Sequence, residues 1–402
     1  MQSLKIRIEG DYWDSYIYMG RLYLWTFDND LLIVNWDDLV LSKFDIYSEE
    51  FISDIFRQSH AFHNEFILKI MKINSVHNII SNLMDNYANK ELTISINELN
   101  EYLYSKQKSP FKYLTIDMDI FNKKIYAATE EGLFSSTAHR SLNEKYLVSS
   151  RPQKLWDNKL FSINASGFGQ ISLSGGQTGL YEYNNNIDNI VPNSSIVENN
   201  IIQVSNKHST FSNYSFISLY NSSTVESAEL ELYRWSERNN FNNAKKYFRE
   251  YYKKFTEEEI FGQSSTNGLS WGLQDKIYRA TSNGGLEIVS FDNNNEDESY
   301  FSNVKQVHLQ EWKGKVVGGG VSHFGTIIEC ENALVVHHDN NTFTNISGAI
   351  TKWRTFPRAK NYFNQLHVIH DNCLEVHAFY DDCLNRVGSQ EYKIKYIDKY
   401  LK

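Results

Sequence analysis

Lys124-Ile125-Tyr126-Ala127-Ala128-Thr129-Glu130-Glu131-Gly132-Leu133 and Lys276-Ile277-Tyr278-Arg279-Ala280-Thr281-Ser282-Asn283-Gly284-Gly285-Leu286 read alike. Each is an alternating strand, a polar turn with Gly or Asn to take positive φ, and the opening of a second strand. The same hairpin begins at Arg21, at Gln170 ahead of the Gly175-Gly176-Gln177-Thr178-Gly179 turn, at Thr326 and at Gln365. The weakest copy sets Tyr214-Ser215-Phe216-Ile217-Ser218-Leu219 against Glu229-Leu230-Glu231-Leu232-Tyr233 across a long Ser-rich turn. Successive copies start roughly 40–60 residues apart, the span of a four-stranded repeat, except between the first and second.

Seven copies at that spacing resemble the β-propeller superfamily over nearly the whole chain. The resemblance is architectural. The Gly-His and Trp-Asp marks of WD40 repeats are missing, and Gly167-Phe168-Gly169 and Ser174-Gly175-Gly176 are too short to mark kelch repeats. It implies a mainly β fold, a single seven-bladed β-propeller over residues 1–402, with two α-helical insertions and no functional residues to carry over. Strand-like alternation at Leu4-Lys5-Ile6-Arg7-Ile8-Glu9 and at Tyr392-Lys393-Ile394-Lys395-Tyr396-Ile397 gives either end of the chain a strand to complete a blade begun at the other.

The first insertion, 45–107, falls in the long interval and is expected between blades 1 and 2. Ser48 suits an N-cap and Glu49 and Glu50 the positive end of a helix. Phe51, Ile55, Phe62, Phe66 and Ile70 then follow at steps of four and seven residues, one and two helical turns. Further apolar sets lie at Val76, Ile79, Ile80, Leu83 and Met84, and around Leu99, Tyr102 and Leu103. Blades close without such a segment, which makes Phe51, Ile55, Phe62 and Phe66 candidate contacts for a partner. A packed decoration with no partner is the alternative.

The second insertion, 236–262, is expected as a helix between blades 4 and 5. Arg238, Lys245, Lys246, Arg249, Lys253 and Lys254 are interleaved there with Tyr247, Phe248, Tyr251, Tyr252 and Phe255. Cations among aromatics suit a phosphate backbone and stacked bases, which makes the six basic residues candidate nucleic-acid or partner contacts. A buried aromatic stripe beneath a solvated charged face accounts for the same pattern. Thr256-Glu257-Glu258-Glu259 reads as a fresh N-cap with acids on its first turn.

Nothing in the chain marks a catalytic centre. His367, His370, Cys373 and His377 fall in a hairpin, where residues an odd number apart point to opposite faces. Only a cross-strand pair such as His367 with His377 is expected to meet, short of the convergent ligands zinc requires. His60 with His63, and His337 with His338, lack a third ligand. The glycine runs 175–179 and 318–320 lack the Lys-Ser/Thr ending of a phosphate loop and read as a turn and as close strand packing. No cofactor or metal is expected, although a channel site assembled from several blades would leave no local motif.

The net charge of −9, from 40 basic and 49 acidic residues, gives no general attraction to nucleic acid. Three cysteines in no disulfide spacing, no apolar leader and no run long enough to span a bilayer point to a cytoplasmic protein without membrane contact. Abundant Asn, Ile, Lys and Tyr suggest an AT-rich, microbial genome. The reading favoured is a non-enzymatic propeller scaffold or sensor that binds a protein partner within a larger complex. The alternatives are a nucleic-acid-associated subunit and an enzyme or ligand binder acting at the channel.

Overall fold

A computed structural model describes residues 3–45, 49–71, 73–88, 90–112, 114–140, 146–166, 169–184, 201–214, 218–239, 245–263, 269–273, 275–281, 284–292, 300–308 and 315–380. The chain divides into two compact units, one of residues 1–110, 138–150 and 321–402, the other of 111–137 and 151–320. The described residues build seven sheets, antiparallel but for one strand pair, which are the seven blades of a β-propeller.

In chain order, β1 (Ser3–Glu9) precedes the first sheet, β2 (Tyr12–Tyr18), β3 (Arg21–Thr26), β4 (Asp30–Asn35) and β6 (Leu103–Lys108). Between β4 and β6 lie α1 (Trp36–Leu41), α2 (Glu50–Arg57), a 3-10 turn (Ser59–His63), α3 (Glu65–Met71), α4 (Asn74–Ala88), β5 (Leu92–Ile94) and α5 (Ile96–Glu101). The sixth sheet is β24 (Val316–Ser322), β25 (Gly325–Cys330), β26 (Ala333–His337) and β27 (Phe343–Ser347). The seventh is β28 (Ile350–Thr355), β29 (Gln365–His370) and β30 (Cys373–Phe379), followed by β1 and then by β5, which joins β1 in parallel.

β1 therefore supplies the fourth strand of the seventh sheet, in antiparallel register from Ser3 opposite Phe379 to Glu9 opposite Cys373. Leu4, Ile6 and Ile8 are buried along one face while Lys5 and Arg7 alternate with them. A one-residue slip would put all three apolar side chains on the wrong face, and this fixes the pairing. The second candidate closing strand, 392–397, lies outside the described residues.

The second sheet is β7 (Thr115–Phe121), β8 (Lys124–Thr129) and β9 (Gly132–Arg140), with β10 (Tyr146–Val148) and β11 (Gln153–Trp156) pairing different parts of β9. The third is β12 (Ser162–Ala165), β13 (Gln170–Ser174), β14 (Leu180–Asn184) and β15 (Ile201–Ser205). The fourth is β16 (Phe211–Tyr214), β17 (Ser218–Ser222), β18 (Glu229–Asn239) and β19 (Lys245–Thr256), and α6 (Glu257–Phe261) follows it. The fifth is β20 (Leu269–Leu273), β21 (Lys276–Ala280), β22 (Gly285–Ser290) and β23 (Lys305–His308).

Six of the seven hairpins read from the sequence are two inner strands of a sheet, and the weakest, 214–233, runs from the end of β16 through β17 to β18. The core lies between successive sheets. Tyr126, Leu133, Ile163, Leu173 and Tyr183 pack the second against the third, and Leu180, Tyr214, Leu219 and Tyr233 the third against the fourth. Leu230, Leu232, Phe255, Ile277 and Val289 join the fourth to the fifth, with Ile260 and Phe261 of α6. Within the other unit, Ile327, Leu334 and Val336 of the sixth meet Leu366, Val368 and Phe379 of the seventh. Each fully buried aliphatic side chain contributes about 1.5–3 kcal/mol, so these clusters dominate the favourable side of folding.

Three expectations require correction. Residues 236–239 and 245–256 are strand, not helix: β18 and β19 pair from Glu229 opposite Thr256 to Asn239 opposite Lys245, and helix begins only at Glu257. Aromatic residues spaced three and four apart satisfy a helical period, but Tyr, Phe and Trp also favour strands, and a cross-strand partner decides between them. The first insertion interrupts the first sheet between its third and fourth strands and does not separate two blades, because 103–108 are β6, paired with β4. Tyr214 and Leu219 do not share one strand: Tyr214 ends β16 and Ser218 begins β17, and the two strands pair with each other.

Candidate interaction surfaces

The first strands of the blades carry polar side chains that tie neighbouring sheets. In the larger-numbered part of the second unit, Asn213 of β16 donates to the Gly272 carbonyl of β20 at 2.6 Å. Asp117 and Asp119 of β7 accept from the Ile163 and Ala165 amides of β12 at 2.9 and 2.8 Å. The carboxylates noted at 117 and 119 thus hold backbone amides, which explains their clustering without chemistry.

In the first unit, Asp14 of β2 is only 1% exposed. It accepts from Arg354 through both carboxylate oxygens and from Lys352 at 2.5 Å, both on β28. Burial alone would raise its pKa, but the Arg354 and Lys352 charges and hydrogen bonds outweigh it and hold the carboxyl below its usual range. Next to it, Ser15 Oγ lies 3.0 Å from His367 Nδ1. Burial, helped by the Arg354 charge, pushes the His367 pKa down to about 3, and it stays neutral. A hydroxyl and an imidazole in contact suggest a nucleophile pair, but both side chains are buried in the packing of the sheets.

The remaining histidines divide by register. His367 lies opposite Val376 and His377 opposite Leu366, so the expected His367–His377 encounter does not form: they point to opposite faces. His370 and His377 instead flank Glu375, their Nε2 atoms 3.6 and 3.1 Å from its Oε2, while Lys5 of β1 bonds Oε1 at 3.1 Å. His338 is locked between the Phe324 carbonyl and Thr344 Oγ1. Among the described residues no three His, Cys, Asp or Glu side chains are placed to hold a metal ion.

The first insertion has an anchored part and an exposed part. Carbonyls at the end of α2 lack helical partners. Here Asn364 donates to the Ile55 carbonyl, while Gln365 and Trp36 donate to that of Phe56. Gln58 leaves helical geometry at φ −143°, so the run read as one helix becomes α2, the 3-10 turn and α3. Of the four candidate contacts, Ile55 and Phe62 are buried, and Phe51 packs edge-to-face on Phe62 at 4.5 Å. These three hold the insertion together. Phe66 is 68% exposed, joined by two positions the sequence reading did not single out as contacts, Ile73 at 52% and Ile79 at 61%. Periodicity placed Ile79 with Met84 in one apolar set, yet only Met84 finds a core.

The basic candidates divide too. Lys254 bonds buried Glu229 at 2.6 Å, beside Lys207 at 2.8 Å. Lys253 sits over the Phe255 and Tyr300 rings at 4.6 and 4.9 Å. Both are engaged within the fold. Arg238, Lys245, Lys246 and Arg249 fall beyond Leu232, where β18 pairs with β19 and, among the described residues, has no pairing to β17. Thr256 closes the hairpin into α6 with the expected capping box to Glu259.

No family model and no curated protein matches the chain. Among solved structures it is similar to the WD40 domain of Neurospora crassa Pan2, at 8% identity and TM-score 0.45 over 92% of this chain and 89% of that one. It is also similar to BamB of Moraxella catarrhalis, at 9% identity and TM-score 0.40 over 90% and 80%. A third is the extracellular domain of a protein named as a hybrid two-component system from B. thetaiotaomicron, at 16% identity and TM-score 0.40. That match takes 68% of this chain but spans about a third, 34%, of the other. The assignment to the propeller fold rests on the seven sheets.

Proposed function

We propose that this protein is a non-enzymatic interaction module, a propeller scaffold or sensor that recruits a protein partner into a larger microbial complex through its first insertion. The observation that carries the reading is the exposure of Phe66, Ile73 and Ile79 on α3, α4 and the turn joining them, in a segment whose other end is fastened to the seventh sheet. An anchored helical segment that leaves several large apolar side chains in water has the character of a contact surface. Rigid blades beneath it fix that surface in place. Cys330 and Cys373 are buried and unbridged, in keeping with a reducing cytoplasmic setting. No described helix is long and apolar enough to cross a membrane.

The test is co-purification from the native cell, comparing the wild type with Phe66→Asp/Ile79→Asp and identifying what is retained. These exposed positions tolerate the change without unfolding, so a partner retained by the wild type and lost by the variant supports the reading. Equal retention by both contradicts it.

A further inference from the structure

α4 carries an apolar arc wider than the core it meets. The helix packs on β1 and buries Met84 and Tyr87, and the Tyr87 ring lies 5.3 Å from that of Phe44. At about 100° per residue, Val76, Ile79 and Leu83 fall along one side of that buried face. Val76 and Leu83 are half-buried, and Ile79 is 61% exposed. Their steps of three and then four residues are those of a seam along which a second helix lies.

The flanks of the seam decide its occupant. Ser75, Asn82 and Asn86 border it on the solvent side and are exposed. Asp85 is the one Asp, Glu, Lys or Arg among the 15 residues of α4, and it lies about 120° around the helix from Ile79. Charges beside a helix seam select one partner and repel others, a copy of the same helix among them. α4 has none in that place. Its bordering amides and hydroxyl both donate and accept, so they match their own kind, as apolar side chains do. A chain of net charge −9 can therefore meet its copy here without like charges facing each other at the contact.

We propose that α4 is a self-association surface, with Val76, Ile79 and Leu83 packed against the same helix of a second copy of this chain. Self-pairing rests on the contact role given to the first insertion and narrows its partner to an identical chain. A two-fold contact sets one patch against the same patch on the other copy. Ile79, in the middle of the seam, then meets itself whichever way the two helices run. The seam covers about 10 Å of helix, at the weak end of interfaces, so dimer grows with protein concentration.

The test is sedimentation equilibrium of the full chain from roughly 1 to 500 µM, a range that spans weak association, with a covalent trap beside it. The wild type should pass from monomer toward dimer. Asn82→Glu sets two like charges beside the axis and should weaken dimerisation at least about tenfold. Asn97→Glu, at an exposed position on α5, should leave it unchanged. Mild oxidation of Ile79→Cys should give a disulfide-linked dimer that the wild type does not form. A wild type monomeric throughout, equal dimerisation by Asn82→Glu, or no cross-link through position 79 overturns the proposal. If a monomeric chain still loses a cellular protein on Ile79→Asp, the contact role stands and only the identical partner falls. If it loses none, both fall.

Discussion

Asp14 and Arg354 form a two-pronged ion pair between β2 and β28, with Arg354 Nη2 2.9 Å from Oδ2 and 3.2 Å from Oδ1. Lys352 donates to the same carboxylate, so one buried anion serves two cations from the neighbouring sheet. Removing the anion strands both. Asp14→Ala is expected to lower unfolding free energy by about 3–5 kcal/mol in urea titration. Replacing all three by apolar residues of similar volume should recover most of that loss. If the single substitution proves neutral, the pair holds nothing together.

The same carboxylate predicts acid sensitivity. Its folded-state pKa lies below the ordinary value of 3.8, so its stabilisation is present above that value and is lost as pH falls through the lower folded one. Thermal midpoints of the wild type should drop below about pH 4 more steeply than those of Asp14→Asn.

Glu231 predicts the opposite slope. It is buried on β18 with the Tyr233 hydroxyl 3.3 Å away, while Lys254 is held by Glu229. Burial, which the Lys254 charge only partly counters, pushes its pKa up to about 7 from 4.5. A raised folded-state value favours the protonated form, so its contribution is complete below 4.5 and is lost as pH rises through about 7. Wild-type stability should fall over that window by on the order of 3 kcal/mol relative to Glu231→Gln. Parallel pH profiles for the two proteins would contradict the assignment.

Gly319 on β24 faces the ring of Trp271 on β20, and a Cβ there would stand 2.3 Å from Trp271 Cε3. Trp271 is buried and stacks on Tyr278 at 6.2 Å, so it has no free direction in which to move. Gly319→Ala should cost about 1–3 kcal/mol by overpacking, read from the denaturation midpoint. In a chain that already carries a smaller residue at 271, Gly319→Ala should cost little, and that non-additivity identifies the clash.

Middle strands were legible in the sequence because they announce themselves locally. The 124–133 and 276–286 stretches each set two alternating apolar runs around a turn in which Gly132 and Gly284 take φ of 122° and 77°. Outer strands carry no such signal. β6 and β23 are largely solvated, with Lys106, Lys108, Lys305 and Gln306 along them, and are strands only because β4 and β22 offer an edge. The 245–256 run passes for helix for the same reason, since its identity is decided by β18. Among the candidate contacts, periodicity found the helices around Phe51, Ile55 and Phe62, but it does not distinguish an apolar face that finds a core from one, at Phe66 and Ile79, that does not.

β1 completes the seventh blade by pairing with β30. Glu9 lies opposite Cys373, and the Gly10 amide donates to the Asn372 carbonyl at 3.0 Å, which makes 9 and 373 a non-hydrogen-bonded pair. Side chains in such pairs approach most closely, with Cα atoms about 4.5 Å apart, within reach of a disulfide. Mild oxidation of Glu9→Cys followed by non-reducing peptide mass spectrometry should yield one intramolecular cross-link between position 9 and Cys373. Free thiols at both positions, or cross-links only between molecules, would contradict the pairing and the blade it completes.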